Sequence, residues 1–171
     1  MWPLIQLFVD IAFHRRGPED VPAAGALFAL VLAAAATVQV LALLALDNDP
    51  GRAVLETGVH LLLTLGAYAL ILWWRGVAGR FRQTATALLG TGTLLGLLML
   101  PVAVWVDAGI RAESVAPLAM LAFFVLLVWS IDIAGFVVSR ALGVHYVLGV
   151  LAALAVIVAD ATLRRQWLPP A

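Results

Sequence analysis

A carboxylate set in an otherwise apolar run is the residue of this chain with the most chemistry to offer. Asp132 stands in Trp129-Ser130-Ile131-Asp132-Ile133-Ala134-Gly135, about six residues inside the apolar stretch 115–138. At 1.5 Å per residue that is roughly 9 Å from the end of the stretch. An Asp near the centre of a membrane helix costs ~2.5–3.5 kcal/mol, so its side chain has to face other protein groups or a wet cavity. There it either finds a partner or keeps its proton. Ser139 follows seven residues later on the same helical face. One reading of Asp132 is a relay for protons or cations; the other is a carboxyl that hydrogen-bonds within a bundle or reaches back to the near interface.

A second candidate is Glu56 with His60, spaced i, i+4 and therefore on one face of a helix. Such a pair can move protons, yet one carboxylate and one imidazole are an incomplete ligand set for zinc. Glu56 also lies close to a polar loop, where a wet helix-end pair is the plainer account. Asp160 and Arg164 repeat the i, i+4 spacing and read as an ordinary helix-end ion pair. With no cysteine in the chain, thiolate metal sites, disulfides and cysteine nucleophiles are excluded. The sequence has no HExxH, GxSxG, P-loop or GxGxxG and only three serines, so it offers no catalytic residue, metal site or cofactor motif. A non-enzyme is the expectation.

The elements that must position these residues follow from composition. Of 171 residues, 64% are hydrophobic and 12% charged, with mean hydropathy +1.08. That is too little charge for the shell of a soluble domain of this length, so lipid must be the solvent. Five apolar stretches, 23–46, 53–74, 84–106, 115–138 and 143–161, are each near the ~20 residues needed to cross a bilayer. Short polar breaks join them, which makes successive helices antiparallel neighbours. The expected fold is an all-α five-helix transmembrane bundle, one domain over 23–171. Residues 1–22 precede it as a short amphipathic helix and turn, with Gln6, Asp10 and His14 on one narrow face. That helix is too short to span and either lies in the interface or packs on the bundle. Because Arg15 and Arg16 follow its apolar run, it does not read as a cleaved leader.

Two surfaces stand out for binding rather than chemistry. The third stretch carries Gln83, Thr86, Gly90 and Thr93 on one face, and Gly92 with Gly96 adds a GxxxG spacing. Small residues of this kind let helix backbones approach, and lining a polar pore is the alternative. The loop holding Trp73, Trp74, Arg75, Arg80 and Arg82 puts aromatics and cations at headgroup depth, suited to lipid or to a membrane-protein partner. Ten acidic residues balance ten basic ones, all arginine, so nothing favours nucleic acid. With the N-terminus inside, six arginines (15, 16, 75, 80, 82 and 140) gather on the cytoplasmic side against four outside.

The segments Leu7 through Pro22, Gln83 through Gly92 and Trp129 through Leu142 together resemble the small bacterial membrane proteins grouped with the Yip1-like families. The resemblance covers about a quarter of the chain. It implies a five-span bacterial inner-membrane protein of unassigned function. The cytosolic extension of eukaryotic members is missing, so a vesicle-trafficking role does not carry over. The leading expectation is a non-enzymatic protein that binds other membrane components, a partner or a second copy included. The alternative is a small proton-coupled transporter or channel component using Asp132, with Glu56 and His60 along its path.

Overall fold

In hydrocarbon a chain has to satisfy its own backbone N–H and C=O groups, and helices do so within one segment. The computed structural model describes residues 2–114 and 116–167 and is helical throughout its length. Six α-helices follow in order: α1 Trp2–Ala12, α2 Gly25–Ala45, α3 Pro50–Trp74, α4 Phe81–Arg111, α5 Pro117–Leu142 and α6 Tyr146–Trp167. Helices α2 to α6 are each long and apolar enough to cross a membrane. The 31 residues of α4 reach about 46 Å, so this helix tilts in, or projects beyond, a ~30 Å hydrocarbon layer.

Helix ends and bilayer edges do not coincide, and this displaces two of the expected breaks. Ser139-Arg140-Ala141-Leu142 is not a loop: α5 runs through it and stops at Gly143, whose φ of 65° is the left-handed cap that glycine adopts without strain. Arg140 meets the Glu19 carboxylate at the surface while Ser139 is buried. Likewise α4 continues past 106 to Arg111, whose guanidinium bridges Asp107 at 2.7 Å and Asp47 at 2.6 Å. Charge marked the water, not the end of the helix. At the start of α3 the two agree: Asp49 accepts the N–H of Arg52 at 3.0 Å and Pro50 supplies the preset first turn.

The five long helices close a ring in the order α2, α4, α5, α6, α3, with α3 returning to α2. Helices α3 and α4 touch each other sparsely and stand on facing walls. Large side chains such as Leu62, Leu70, Phe124 and Val158 point outward, as lipid-facing residues do. α1 does not cross. It packs on α4 and α5, burying Leu7, Phe8, Ile11 and Ala12 while Trp2, Val9 and Phe13 stay exposed. The ring of Phe8 fills the space over Gly90, so a β-carbon there would overlap it.

The tightest crossing is between α5 and α6. A β-carbon on Gly149 would overlap the Gly135 carbonyl and the backbone of Ser139, and one on Gly135 would overlap Val150. The GxxxG pair expected on α4 behaves differently. Gly96 has the Val38 side chain 3.0 Å from where its β-carbon would be, but a β-carbon on Gly92 would meet nothing within 4 Å. Gly92 is therefore not part of a helix contact. Gly149→Ala should lower stability by about 1–3 kcal/mol through overpacking. Gly92→Ala should be neutral or stabilising, since Ala is the better helix former by about 1 kcal/mol. Thermal unfolding of both variants in one detergent checks this; equal shifts would contradict the crossing.

A candidate polar site inside the helix ring

Along α3, Arg52, Glu56, His60, Thr64 and Tyr68 recur every fourth residue and so form one polar stripe on an otherwise apolar helix. The stripe starts at the loop end of α3 and runs into the ring. Glu56 and His60 share its face but do not form the expected pair. Glu56 Oε1 instead accepts from Arg52 Nε at 2.7 Å, one turn nearer the loop. The reason is geometric: the cation at i−4 reaches the carboxylate, and His60 has a better partner on another helix.

That partner is Asp160. His60 Nδ1 and Asp160 Oδ2 are 3.0 Å apart across the α3–α6 contact, and Arg164 Nε and Nη2 reach the same oxygen at 3.0 and 2.9 Å. Asp160 is 6% exposed, so what reads in sequence as an ordinary helix-end pair is an inter-helix triad around a buried carboxylate, with the His60 and Arg164 side chains 32% and 30% exposed. With the carboxylate accepting from Arg164, the imidazole donates through Nδ1–H, and Thr64 Oγ1 lies 3.5 Å from the same nitrogen. Asp160 thereby fixes the ring and leaves Nε2 free to accept. Among the described residues no protein atom bonds Nε2. Asp160 Oδ1 and Thr57 Oγ1, one turn before His60, are buried with no partner among those residues. Polar atoms left in this state are costly.

His60 opens onto a cavity inside the ring. One lobe, about 310 Å³, lies between α3, α4 and the α5–α6 side, and includes Thr91, Met99, Ser130 and Ile133 in its lining. A second lobe of about 160 Å³ extends toward Val38 and Gln39 of α2. Both share His60, Thr64, Tyr68, Leu88, Gly92 and Gly96. Gly92, which carries no side chain, is among the residues common to both linings. Tyr68 is 4% exposed and lines both lobes, yet its hydroxyl has no bonding partner among the described residues. The Thr91, Thr93 and Ser130 hydroxyls, by contrast, donate to carbonyls of their own helices. Free hydrogen-bonding capacity around the lobes thus lies on His60 and Tyr68 of α3 and, in the smaller lobe, on the Gln39 amide of α2.

Asp132 is elsewhere. Because α5 extends to Leu142, it sits ten residues from the helix end, deeper than the sequence pattern suggested. It is absent from the lining of both lobes. Its carboxylate takes the Tyr146 hydroxyl on one oxygen and His14 Nε2, at 3.1 Å, on the other. His14 stacks on Phe136 with ring centres 4.1 Å apart, and Trp129 Nε1 donates to the Ala12 carbonyl at 3.2 Å. These bonds fasten the end of α1 to α5 and α6. Ser139 does not extend the site, since its hydroxyl donates to Phe136 O within α5 and the residue is buried at the α6 crossing.

Several other candidates converge on the N-terminal segment. Gln83 Nε2 donates to Val21 O at 3.0 Å, Thr86 is buried with its hydroxyl on Arg82 O, and Gly90 receives Phe8. Thr93 borders both the inner cavity and an apolar recess beneath α1. A larger cavity of about 430 Å³ lies at the arginine-rich end beside Glu19, Arg80, Gln83 and Arg140. There Arg80 donates to Ala141 O at 2.9 Å and Arg140 meets Glu19, so its polar groups are already engaged. Trp73, Trp74, Arg75, Arg80 and Arg82 are all exposed. The α3 stripe was findable from its spacing, whereas the role of Asp160 was not, because its histidine partner is 100 residues away.

No protein-family model, curated protein or solved structure matches this chain. The clasp on α1 is testable because the chain has no cysteine of its own. In an Ala12→Cys background, Asp132→Ala should speed maleimide labelling roughly tenfold, since hydrogen bonds to a charged group contribute about 1.5–3 kcal/mol. An unchanged labelling rate would mean that Asp132 does not hold α1.

Proposed function

We propose that this is a non-enzymatic bacterial inner-membrane protein, N-terminus cytoplasmic, that binds a small lipophilic component of the bilayer in the cavity of its helix ring. The observation that carries this reading is a lining that combines the bare backbone of Gly92 with His60 and Tyr68, whose Nε2 and hydroxyl have no partner among the described residues. A mostly apolar cavity with a few convergent polar groups is the usual form of a small-molecule site. The excess of arginine at the end holding Arg15, Arg16, Arg75, Arg80, Arg82 and Arg140 supports the orientation. In the same proposal, exposed Trp73 and Trp74 with their neighbouring arginines meet lipid headgroups or a membrane-protein partner. The Yip1-like resemblance enters only as kinship and adds no activity.

Gly92→Phe should fill the junction of the lobes while leaving the bundle intact. Mass spectrometry of organic extracts from purified protein should find a bound lipophile on the wild type. The variant should carry about tenfold less of it, the loss expected from ~1.4 kcal/mol of binding. Equal recovery from both, with unfolding temperatures matched, would remove the cavity from the proposal.

A second reading is favoured by the α3 stripe, whose five polar side chains lead from the loop end to the cavity as a proton path requires. In that reading proton-coupled chemistry belongs to His60 and Asp160 in place of Asp132. Proton flux in proteoliposomes between pH 5 and 8 should then be lost in His60→Asn, which keeps a donor to Asp160 but lacks Nε2. It should survive in Asp132→Asn. Absence of flux in correctly inserted wild type would end this reading and leave the first untouched.

A further inference from the structure

The cavity at the arginine-rich end, about 430 Å³, is bordered by the turn at Pro18 and Glu19, the first turn of α4 and the last turn of α5. Small-molecule sites run from roughly 300 to 1,000 Å³, so it has the size of one. It shares no lining residue with the lobes inside the ring, and charge borders it: Arg80, Arg140 and the Glu19 carboxylate. Each arginine is engaged through one nitrogen only. A guanidinium carries five N–H groups, and among the described residues Arg80 gives one to Ala141 O at 2.9 Å while Arg140 gives one to Glu19. The first bond ties the Arg80 guanidinium to the backbone of the residue next to Arg140. It also helps to cap α5, whose Ser139 and Arg140 carbonyls accept the N–H groups of Val144 and Gly143. The negative end of the α5 dipole is thereby covered, while α4 brings the positive end of its own to the same cavity.

Glu19 shows what chemistry this arrangement accepts. Its carboxylate folds over Gly17, where a β-carbon would overlap it, and meets Arg140. The two side chains are 49% and 55% exposed, and an exposed pair of this kind is weak. The backbone of the turn, by contrast, is pinned. Gln83 Nε2 donates to Glu19 O at 3.4 Å and to Val21 O at 3.0 Å, and Val21 N–H donates to Pro18 O. The carboxylate is therefore free to rotate out while the turn stays in place. Two guanidiniums favour a ligand with more negative charge and more acceptor oxygens than one carboxylate, and a phosphate group has both. We propose that this cavity binds a phosphate group between Arg80 and Arg140, in place of the Glu19 carboxylate. Because the cavity lies at helix ends, at headgroup depth, the phosphate belongs to an anionic lipid headgroup or to a soluble phosphate.

The test is calorimetric titration of the full chain, in a non-ionic detergent at neutral pH, with inorganic phosphate and with dihexanoyl phosphatidic acid. Dihexanoylglycerol, which lacks the phosphate, is the comparator and should not bind. Tighter binding of phosphatidic acid identifies a lipid headgroup as the source; inorganic phosphate binding as tightly or more tightly identifies a soluble phosphate. Arg80→Gln and Arg140→Gln should each weaken binding about tenfold, as the loss of one charged hydrogen bond does. Glu19→Gln should strengthen it about twofold to fivefold, a gain that misfolding does not produce. Arg16→Gln removes a charge two residues from Pro18 but outside the lining, and should change affinity less than about twofold. The proposal is overturned if neither phosphate probe binds, or if dihexanoylglycerol binds as tightly as phosphatidic acid. It is equally overturned if Arg16→Gln costs as much as Arg80→Gln and Arg140→Gln, or if Glu19→Gln weakens binding.

Discussion

Apolar side chains gain nothing by leaving lipid for one another, so in this bundle association has to come from close backbone contact and from polar bonds that hydrocarbon cannot replace. Each supplies a different joint. Gly135, Ser139 and Gly149 let α5 and α6 approach until backbone meets backbone. The His60–Asp160–Arg164 triad fastens α3 to α6 on the other side of α6. Between these two joints the ring closes while α3 and α4 stay apart, and the space so preserved is the cavity.

The same triad illustrates a tension between bracing and function. A buried ion pair is weak evidence of stability, since desolvating both charges offsets much of their attraction. Here Asp160 also orients an imidazole that lines a cavity and whose second nitrogen has no partner among the described residues. A group held by one nitrogen and free at the other is arranged as binding and proton-transfer sites are. That distinguishes it from Asp132, whose two oxygens are both taken up, by His14 just beyond α1 and by Tyr146 of α6.

Much of the fold was legible in the sequence because hydropathy over some twenty residues carries it: five long stretches gave five long helices. What periodicity cannot supply is the neighbour. Glu56 and His60 share a face by their spacing, but which residue each bonds depends on Arg52 one turn away and on Asp160 in another helix. The glycines make the same point. Gly92 and Gly96 have the motif spacing, yet Gly92 faces open space, whereas the closest approach sets Gly135 and Ser139 against Gly149. Gly135 and Ser139 are also small residues at i, i+4, visible in the sequence but not distinguishable there from any other such pair.

The clasp on α1 has a consequence for how the protein is made. His14 is synthesised more than a hundred residues before the groups that hold it, Asp132, Phe136 and Tyr146, which lie in α5 and α6. Phe8 likewise needs α4 in place before Gly90 can receive it. α1 therefore has no docking surface until α4, α5 and α6 have been inserted, and it reaches its final position after helices that are synthesised later.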